Sequence, residues 1–212
     1  MKRAFASLAF VFALGAAPPA TDSALLHPAL AAAKAPSHYA VGFKTTAGTF
    51  VVAVTRAWSP RGADRFYNLV KHGFFNGGAF FRVVPGFVVQ FGLNPSPAVD
   101  SAWSGADVKD DPVVQSNRAG YLSFAAAGPN TRTTQIFINL GDNPRLDGMG
   151  FAPFGKVVSG MSTVRRIYAG YGESPDQGAI AAQGKAYLDK QFPKLDKILS
   201  AKLVTQPPAG AH

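Results

Sequence analysis

Residues 80–92 read FFRVVPGFVVQFG: two apolar runs joined by Pro85-Gly86, with one polar side chain in each run, Arg82 and Gln90. Proline supplies the φ needed at the second position of a tight turn, and glycine tolerates the positive φ of the third. The segment therefore predicts two buried strands around a turn. An isolated charge in an apolar medium is prohibitively costly, so Arg82 is either paired or facing a cleft. Gln90, and Gln135 alone in TQIFI, need partners for their donors and acceptors in the same way. They either share one site with Arg82 or stand on the solvent face of alternating strands.

The flanking sequence repeats this short-strand grammar. Upstream, HYAVGFKTTAGTFVVAV holds two apolar-rich runs around Ala47-Gly48, the pattern of a β-hairpin. Ser59-Pro60 then gives a helix N-cap with proline at the first helical position, and Ala63, Phe66, Tyr67 and Val70 recur at helical spacing before Gly73. Downstream, Leu93 to Arg118 has little periodicity and predicts a long irregular excursion. Strands return as YLSFA, TQIFINL and FAPFGKVV, with a last one near KILSAKLV. Short helices are expected over Met161–Tyr168 and within GAIAAQGKAYLDKQF. Many short strands plus a few helices suit a closed barrel capped at its ends better than a parallel sheet. Closure would also remove exposed strand edges.

The chain has 212 residues, 47% of them apolar and 16% charged, enough for one sizeable core and one domain. Met1-Lys2-Arg3 precedes the apolar run AFASLAFVFALGAA, the layout of a secretory signal peptide and too short to span a bilayer comfortably. Pro18 disfavours cleavage after Ala17, and Ala31-Ala32-Ala33 offers another small-residue site. Residues 1–33 are accordingly assigned to a signal peptide and low-complexity leader, and 34–212 to the domain. No cysteine is present, which is compatible with export to an oxidising compartment. The net charge is +9, but the lysines and arginines form no long run, so a solvated basic surface is favoured over nucleic-acid binding.

The usual catalytic constellations are missing. The histidines, His27, His38, His72 and His212, are scattered and suggest neither a metal site nor a triad. Asp110-Asp111 sits in a loop and Asp147 in a turn signature, and there is no phosphate-binding glycine loop. No metal and no cofactor are expected.

Three blocks in register, FFRVVPGFVVQFG, YLSFAAAGPNTRTTQIFIN and LDGMGFAPFGKVVSGM, resemble the central signature of the cyclophilin family of peptidyl-prolyl cis/trans isomerases. With the flanking hairpin and helix, the similarity extends over most of residues 39–204. The resemblance implies a mainly β fold, a closed eight-stranded antiparallel barrel with a helix closing each end and a substrate groove on its outer face. By motif position it implies that Arg82 is the catalytic arginine and Gln90 the groove glutamine. It also implies that Phe87, Val88, Phe137 and Leu146 line a proline pocket and that Gln135 steadies the arginine. Ala125, Ala126 and Ala127 match the stretch that receives the residues before proline, where main-chain groups bind peptide as an added strand would. Arg145 stands where the family often has a tryptophan. Phe151 or Gly150 replaces a groove histidine, with Phe151 able to form a pocket wall. Val88 and Ala126 replace a larger residue and an asparagine.

The expected protein is thus a bacterial, exported form acting in the periplasm on proline-containing segments of client proteins. It is expected to be a monomer with no nucleic acid and no stable membrane insertion. A prolyl bond resists rotation by about 18–20 kcal/mol and isomerises over tens to hundreds of seconds. Reaching milliseconds requires the barrier to fall by roughly 5–7 kcal/mol. An arginine donating to the prolyl nitrogen, which pyramidalises only in the twisted state, stabilises that state selectively. The competing reading is a noncatalytic chaperone module that clasps proline segments in the same groove.

Overall fold

Residues 22–205 are described in the structure, a computed structural model; most of the signal-peptide reading rests on residues outside that range. Eight strands form one antiparallel sheet: β1 (His38–Thr45), β2 (Gly48–Thr55), β3 (Arg82–Val84), β4 (Val88–Phe91), β5 (Tyr121–Phe124), β6 (Ile136–Asn139), β7 (Gly155–Ser159) and β8 (Ile198–Val204). Their order is β3-β4-β6-β5-β7-β2-β1-β8.

The sheet curls but does not close, which corrects the closed barrel expected above. β3 and β8 remain edges of the ladder. The seam between them is spanned by irregular chain, where Gly77 N–H donates to the Ile198 carbonyl, Ile198 N–H to Gly78 and Phe80 N–H to Asp196. The physical reason is local. β3 has only three residues, and its outer edge is already taken, since Val83 N–H donates to the Gly172 carbonyl at 3.1 Å. A loop therefore covers the edge that β8 would have to pair.

Helices surround this sheet: α1 (Ser23–Leu26), α2 (Pro60–Lys71), α3 (Pro97–Trp103), α4 (Arg145–Gly148), α5 (Met161–Arg166), α6 (Gln177–Gln183) and α7 (Lys185–Gln191). α2 and α5 fall on two of the predicted helices. α2 buries Ala63, Phe66, Leu69 and Val70 against the sheet, and full burial of a side chain such as Phe66 or Leu69 contributes roughly 1.5–3 kcal/mol. Phe43, Phe50, Phe66, Phe91 and Phe154 meet in the middle of the core, with the Phe43 and Phe50 rings stacked at 4.6 Å.

Three local expectations change. The stretch from Leu93 to Arg118 contains α3, entered through Ser96 with Pro97 at its first position. The predicted helical segment after Gly178 is two helices broken at Gly184 (φ 59°), where a Cβ would lie 2.3 Å from the Pro95 carbonyl oxygen. Ser59 occupies the N-cap of α2 without capping it. Its hydroxyl instead donates to Asp111 (2.7 Å), whose carboxylate accepts the Gly62 and Arg61 N–H groups at 3.0 and 3.2 Å. A carboxylate from a distant loop thus satisfies the free donors of the first turn.

Residues 22–36 lie against α2 and α3. Asn68 accepts from the Ala33 N–H (3.0 Å) and donates to the Ala33 carbonyl (2.7 Å), while Asp64 accepts from the Ala35 N–H (2.8 Å). Trp103 Nε1 donates to the Leu25 carbonyl at 2.9 Å, and His72 pairs with Asp22 at 2.8 Å. The boundary drawn after residue 33 falls inside this docked arm.

Candidate active site

Strand register places the polar residues. Val83, Val89 and Ile138 stand side by side on β3, β4 and β6 and enter the core. Side chains alternate along a strand, so Arg82, Gln90 and Phe137, also in register, point to the outer face. Gly86 (φ 74°) closes the turn between β3 and β4, with Phe87 N–H donating to the Val84 carbonyl at 3.0 Å.

On that outer face the polar groups form one connected chain. Arg82 Nη1 donates to Gln90 Oε1 at 3.2 Å, and Gln90 Nε2 donates to Gln135 Oε1 at 2.8 Å. Gln90 is buried, Gln135 half-buried, and the Arg82 side chain 25% exposed. Of the two readings left open by sequence, the shared site is the one realised. Arg82 is moreover both paired and at a cleft, since its Nε donates to Glu173 Oε1 at 2.7 Å.

Beside this chain lies a small apolar cluster separate from the main core. Val88, Phe137 and Leu146 are buried there, with Phe87, Ala125 and Phe151 packed around them. Phe137 meets Phe151 edge to face at 5.6 Å. The Phe87 ring has two guanidinium groups over it, Arg82 at 5.7 Å and Arg145 at 4.9 Å. The turn that carries Leu146 and Phe151 is held from a distant loop. Asp147 accepts from Ser116 Oγ (2.6 Å) and from both the main-chain and side-chain nitrogens of Asn117 (2.9 and 2.8 Å). Asn117 also donates to the Phe151 carbonyl at 2.8 Å. Burial pushes the Asp147 carboxyl up, but these hydrogen bonds outweigh it and hold the group below the ordinary carboxylate range.

Together these residues enclose a cleft of about 440 Å³ that also contains Ala125, Ala126 and Ala127. All eleven residues singled out in the sequence line it. The sequence reading missed Thr131, Thr133, Met149 and Gln177 as further wall residues, and Glu173 as the partner of Arg82. None of these carries a local signal, and Glu173 is 91 residues from Arg82. Of the three alanines, Ala125 donates its N–H to the Gln135 carbonyl and Ala127 to Thr131 Oγ1. Ala126 alone of the three has an N–H without a partner among the described residues.

The cleft therefore offers a donor-only cation, neutral amides, the free main-chain N–H of Ala126 and an apolar pocket. No group of three or more His, Cys, Asp or Glu that could hold a metal occurs among the described residues, and no described helix is long and apolar enough to cross a membrane. Such an arrangement has no acid, base or nucleophile to use, but it suits holding a peptide while stabilising the twisted state between two of its conformers, which defines the class of a conformational peptide isomerase.

Comparison with known proteins agrees. The family described as "Cyclophilin type peptidyl-prolyl cis-trans isomerase/CLD" matches residues 40–185. Peptidyl-prolyl cis-trans isomerase ppi1 of Schizosaccharomyces pombe is 36% identical over 130 residues, covering 60% of this chain and 83% of that protein. Peptidyl-prolyl cis-trans isomerase-like 1 of Gibberella zeae is 36% identical over 128 residues, covering 58% and 78%. A crystal structure of a cyclophilin type peptidyl-prolyl cis-trans isomerase of Cryptosporidium parvum superposes with a TM-score of 0.60 at 21% identity, covering 80% of this chain and 99% of that one. The chain belongs to the cyclophilin-type peptidyl-prolyl cis-trans isomerase family, and its activity is the interconversion of cis and trans prolyl bonds.

Proposed function

We propose that the enzyme isomerises X-Pro bonds in proline-containing segments of exported proteins, with Arg82 donating to the prolyl nitrogen. The observation that carries this reading is the row Arg82, Gln90 and Phe137 across three adjacent strands, one residue from the core but on the opposite face. The proline ring enters the pocket of Phe87, Val88, Phe137, Leu146 and Phe151. The residues before it lie along Ala125–Ala127, with the free Ala126 N–H binding the peptide main chain as a neighbouring strand would. Gln90 offers a neutral hydrogen bond to the turning carbonyl. Arg82 then acts as the nitrogen pyramidalises, because only the twisted bond frees its lone pair to accept. Holding the ring while the preceding carbonyl rotates supplies the remainder of the rate enhancement. No proton transfer, metal or cofactor takes part in this scheme.

Export to the periplasm of a bacterium rests on the sequence of residues 1–17, since the two sequence relatives named above are fungal. The docked arm of residues 22–36 supports cleavage ahead of Asp22 rather than after Ala33, because the later cut would remove the hydrogen bonds that Leu25 and Ala33 make to Trp103 and Asn68. The released enzyme is proposed to act as a monomer.

A protease-coupled assay on a short Ala-Pro peptide, run on wild type and Arg82→Ala after checking that both are folded, tests the catalytic assignment. A fall in kcat/KM of at least about a hundredfold is expected. Wild-type activity retained in the variant would move the catalytic role away from Arg82, and a wild type without activity would favour the noncatalytic clasp.

A further inference from the structure

The loop between α5 and α6 reaches the catalytic face from the far side of β3. Its backbone is fixed there by the bond from Val83 N–H to the Gly172 carbonyl at 3.1 Å, and by turns closed at Gly172 and Ser174. Tyr171 anchors it from below, its ring 5.2 Å from Tyr168 and 5.1 Å from Phe192, in a second apolar cluster that includes Phe81. The next residue after Gly172 is Glu173, whose side chain is 63% exposed yet whose carboxylate lies on Arg82. Oε1 accepts from Arg82 Nε at 2.7 Å and stands 2.5 Å from Nη2.

A guanidinium has five N–H groups in a rigid planar fork. In Arg82 the Nε edge faces Glu173, and one Nη1 hydrogen goes to Gln90. Each terminal nitrogen carries two hydrogens, so donors remain for a ligand. Their direction is set once the other positions are occupied. The Phe87 ring, 5.7 Å from the guanidinium carbon, restrains the plane. An arginine side chain otherwise surrenders rotamer entropy when it is fixed, and a fork held in advance gives up less of it on reaching the transition state.

We infer that Glu173 is a positioning residue for this reaction: it anchors the Nε edge of Arg82 so that the remaining N–H groups face the proline pocket. The carboxylate touches the arginine and is not among the residues that line the cleft, so its effect falls on kcat rather than on KM. The inference rests on the catalytic assignment of Arg82 above.

The test is a double-mutant cycle in the isomerisation assay, with kcat and KM measured for wild type, Glu173→Ala, Glu173→Gln, Arg82→Ala and the double variant Arg82→Ala/Glu173→Ala, each checked for an unchanged melting temperature. Because Glu173 is exposed, folding is expected to survive. Glu173→Ala is expected to lower kcat about fivefold to tenfold with KM within about twofold. Glu173→Gln, whose amide oxygen still accepts from Nε, restores most of the loss, and the Arg82→Ala background shows no further effect of Glu173→Ala. Unchanged kcat in Glu173→Ala, a loss appearing mainly in KM, or an equal loss in the Arg82→Ala background would each overturn the inference. If Arg82→Ala itself retains wild-type activity, the fault lies in the catalytic assignment instead.

Discussion

Replacing Asp111 by alanine removes a carboxylate that joins the start of α2 to the wall of the cleft. Its side chain is 2% exposed and lies 3.1 Å from Arg132 Nη2, on a side chain only 4% exposed. It also accepts from Ser59 and from two main-chain N–H groups at the start of α2. Without it, the Arg132 guanidinium stays buried with the Lys109 carbonyl and the partly exposed Asp110. Breaking a buried pair by deleting one partner costs about 3–5 kcal/mol, and losing a helix cap about 0.5–2. The two losses share one carboxylate and do not simply add, so about 3–5 kcal/mol is expected for Asp111→Ala. Arg132 sits between Thr131 and Thr133, which line the cleft, so KM is also expected to rise. Urea unfolding of wild type, Asp111→Ala, Arg132→Ala and the double variant measures the coupling. A pH series adds a second check. Burial pushes the Asp111 carboxyl up, but the bonds from Ser59, Gly62 and Arg61 and the charge of Arg132 more than offset this, leaving its pKa below the ordinary value. A depressed folded-state pKa means stability that is present above the unfolded value, about 3.9, and lost as pH falls through the folded one. Wild type is therefore expected to lose its advantage over the variant below about pH 4. A destabilisation under about 1 kcal/mol, or effects of the two single variants that add without coupling, would refute the clamp.

Two further outcomes follow from other residues. Arg145 stands at the pocket rim over Phe87 where a tryptophan is common in the family, so Arg145→Trp is expected to tighten cyclosporin binding relative to wild type. Calorimetric titration of both proteins checks this, and a wild-type affinity equal to or tighter than the variant's would contradict it. Asp100 is buried, its Oδ2 has no hydrogen-bond partner, and burial outweighs the Asn94 N–H bond to raise its pKa to about 7. Because the folded pKa lies above the unfolded one, the stability this group contributes is full below about pH 4 and is lost as pH rises to about 7. Asp100→Asn is thus expected to be more stable than wild type at pH 8 by on the order of a few kcal/mol and to lose that advantage near pH 4, as read by urea midpoints at the two pH values.

Much of the catalytic face was legible in residues 80–92. A Pro-Gly turn between two runs determines that Arg82 and Gln90 fall opposite one another, and a period of two determines that both leave the core when Val83 and Val89 enter it. The eleven cleft residues followed from the family resemblance by motif position; Arg82, Val88, Gln90 and Phe137 lie on strands, and the others on α4 or the connecting turns and loops. The helix at 60–71 was equally plain from its apolar spacing and its N-terminal proline.

Other features depend on contacts between residues far apart in sequence. No local pattern shows that a loop carbonyl at Gly172 occupies the edge of β3 and leaves the sheet unclosed, or that Asp111 caps α2 in place of Ser59. The pairing of Arg82 with Glu173 likewise exists only because the loop that follows α5 is packed beside β3. Periodicity and turn chemistry are encoded by neighbours along the chain, so the sequence by itself determined the strands and the main helix. Ion pairs, distant caps and the filling of strand edges require distant segments to meet, so only the tertiary structure decided how the arginine is held and where the sheet stops.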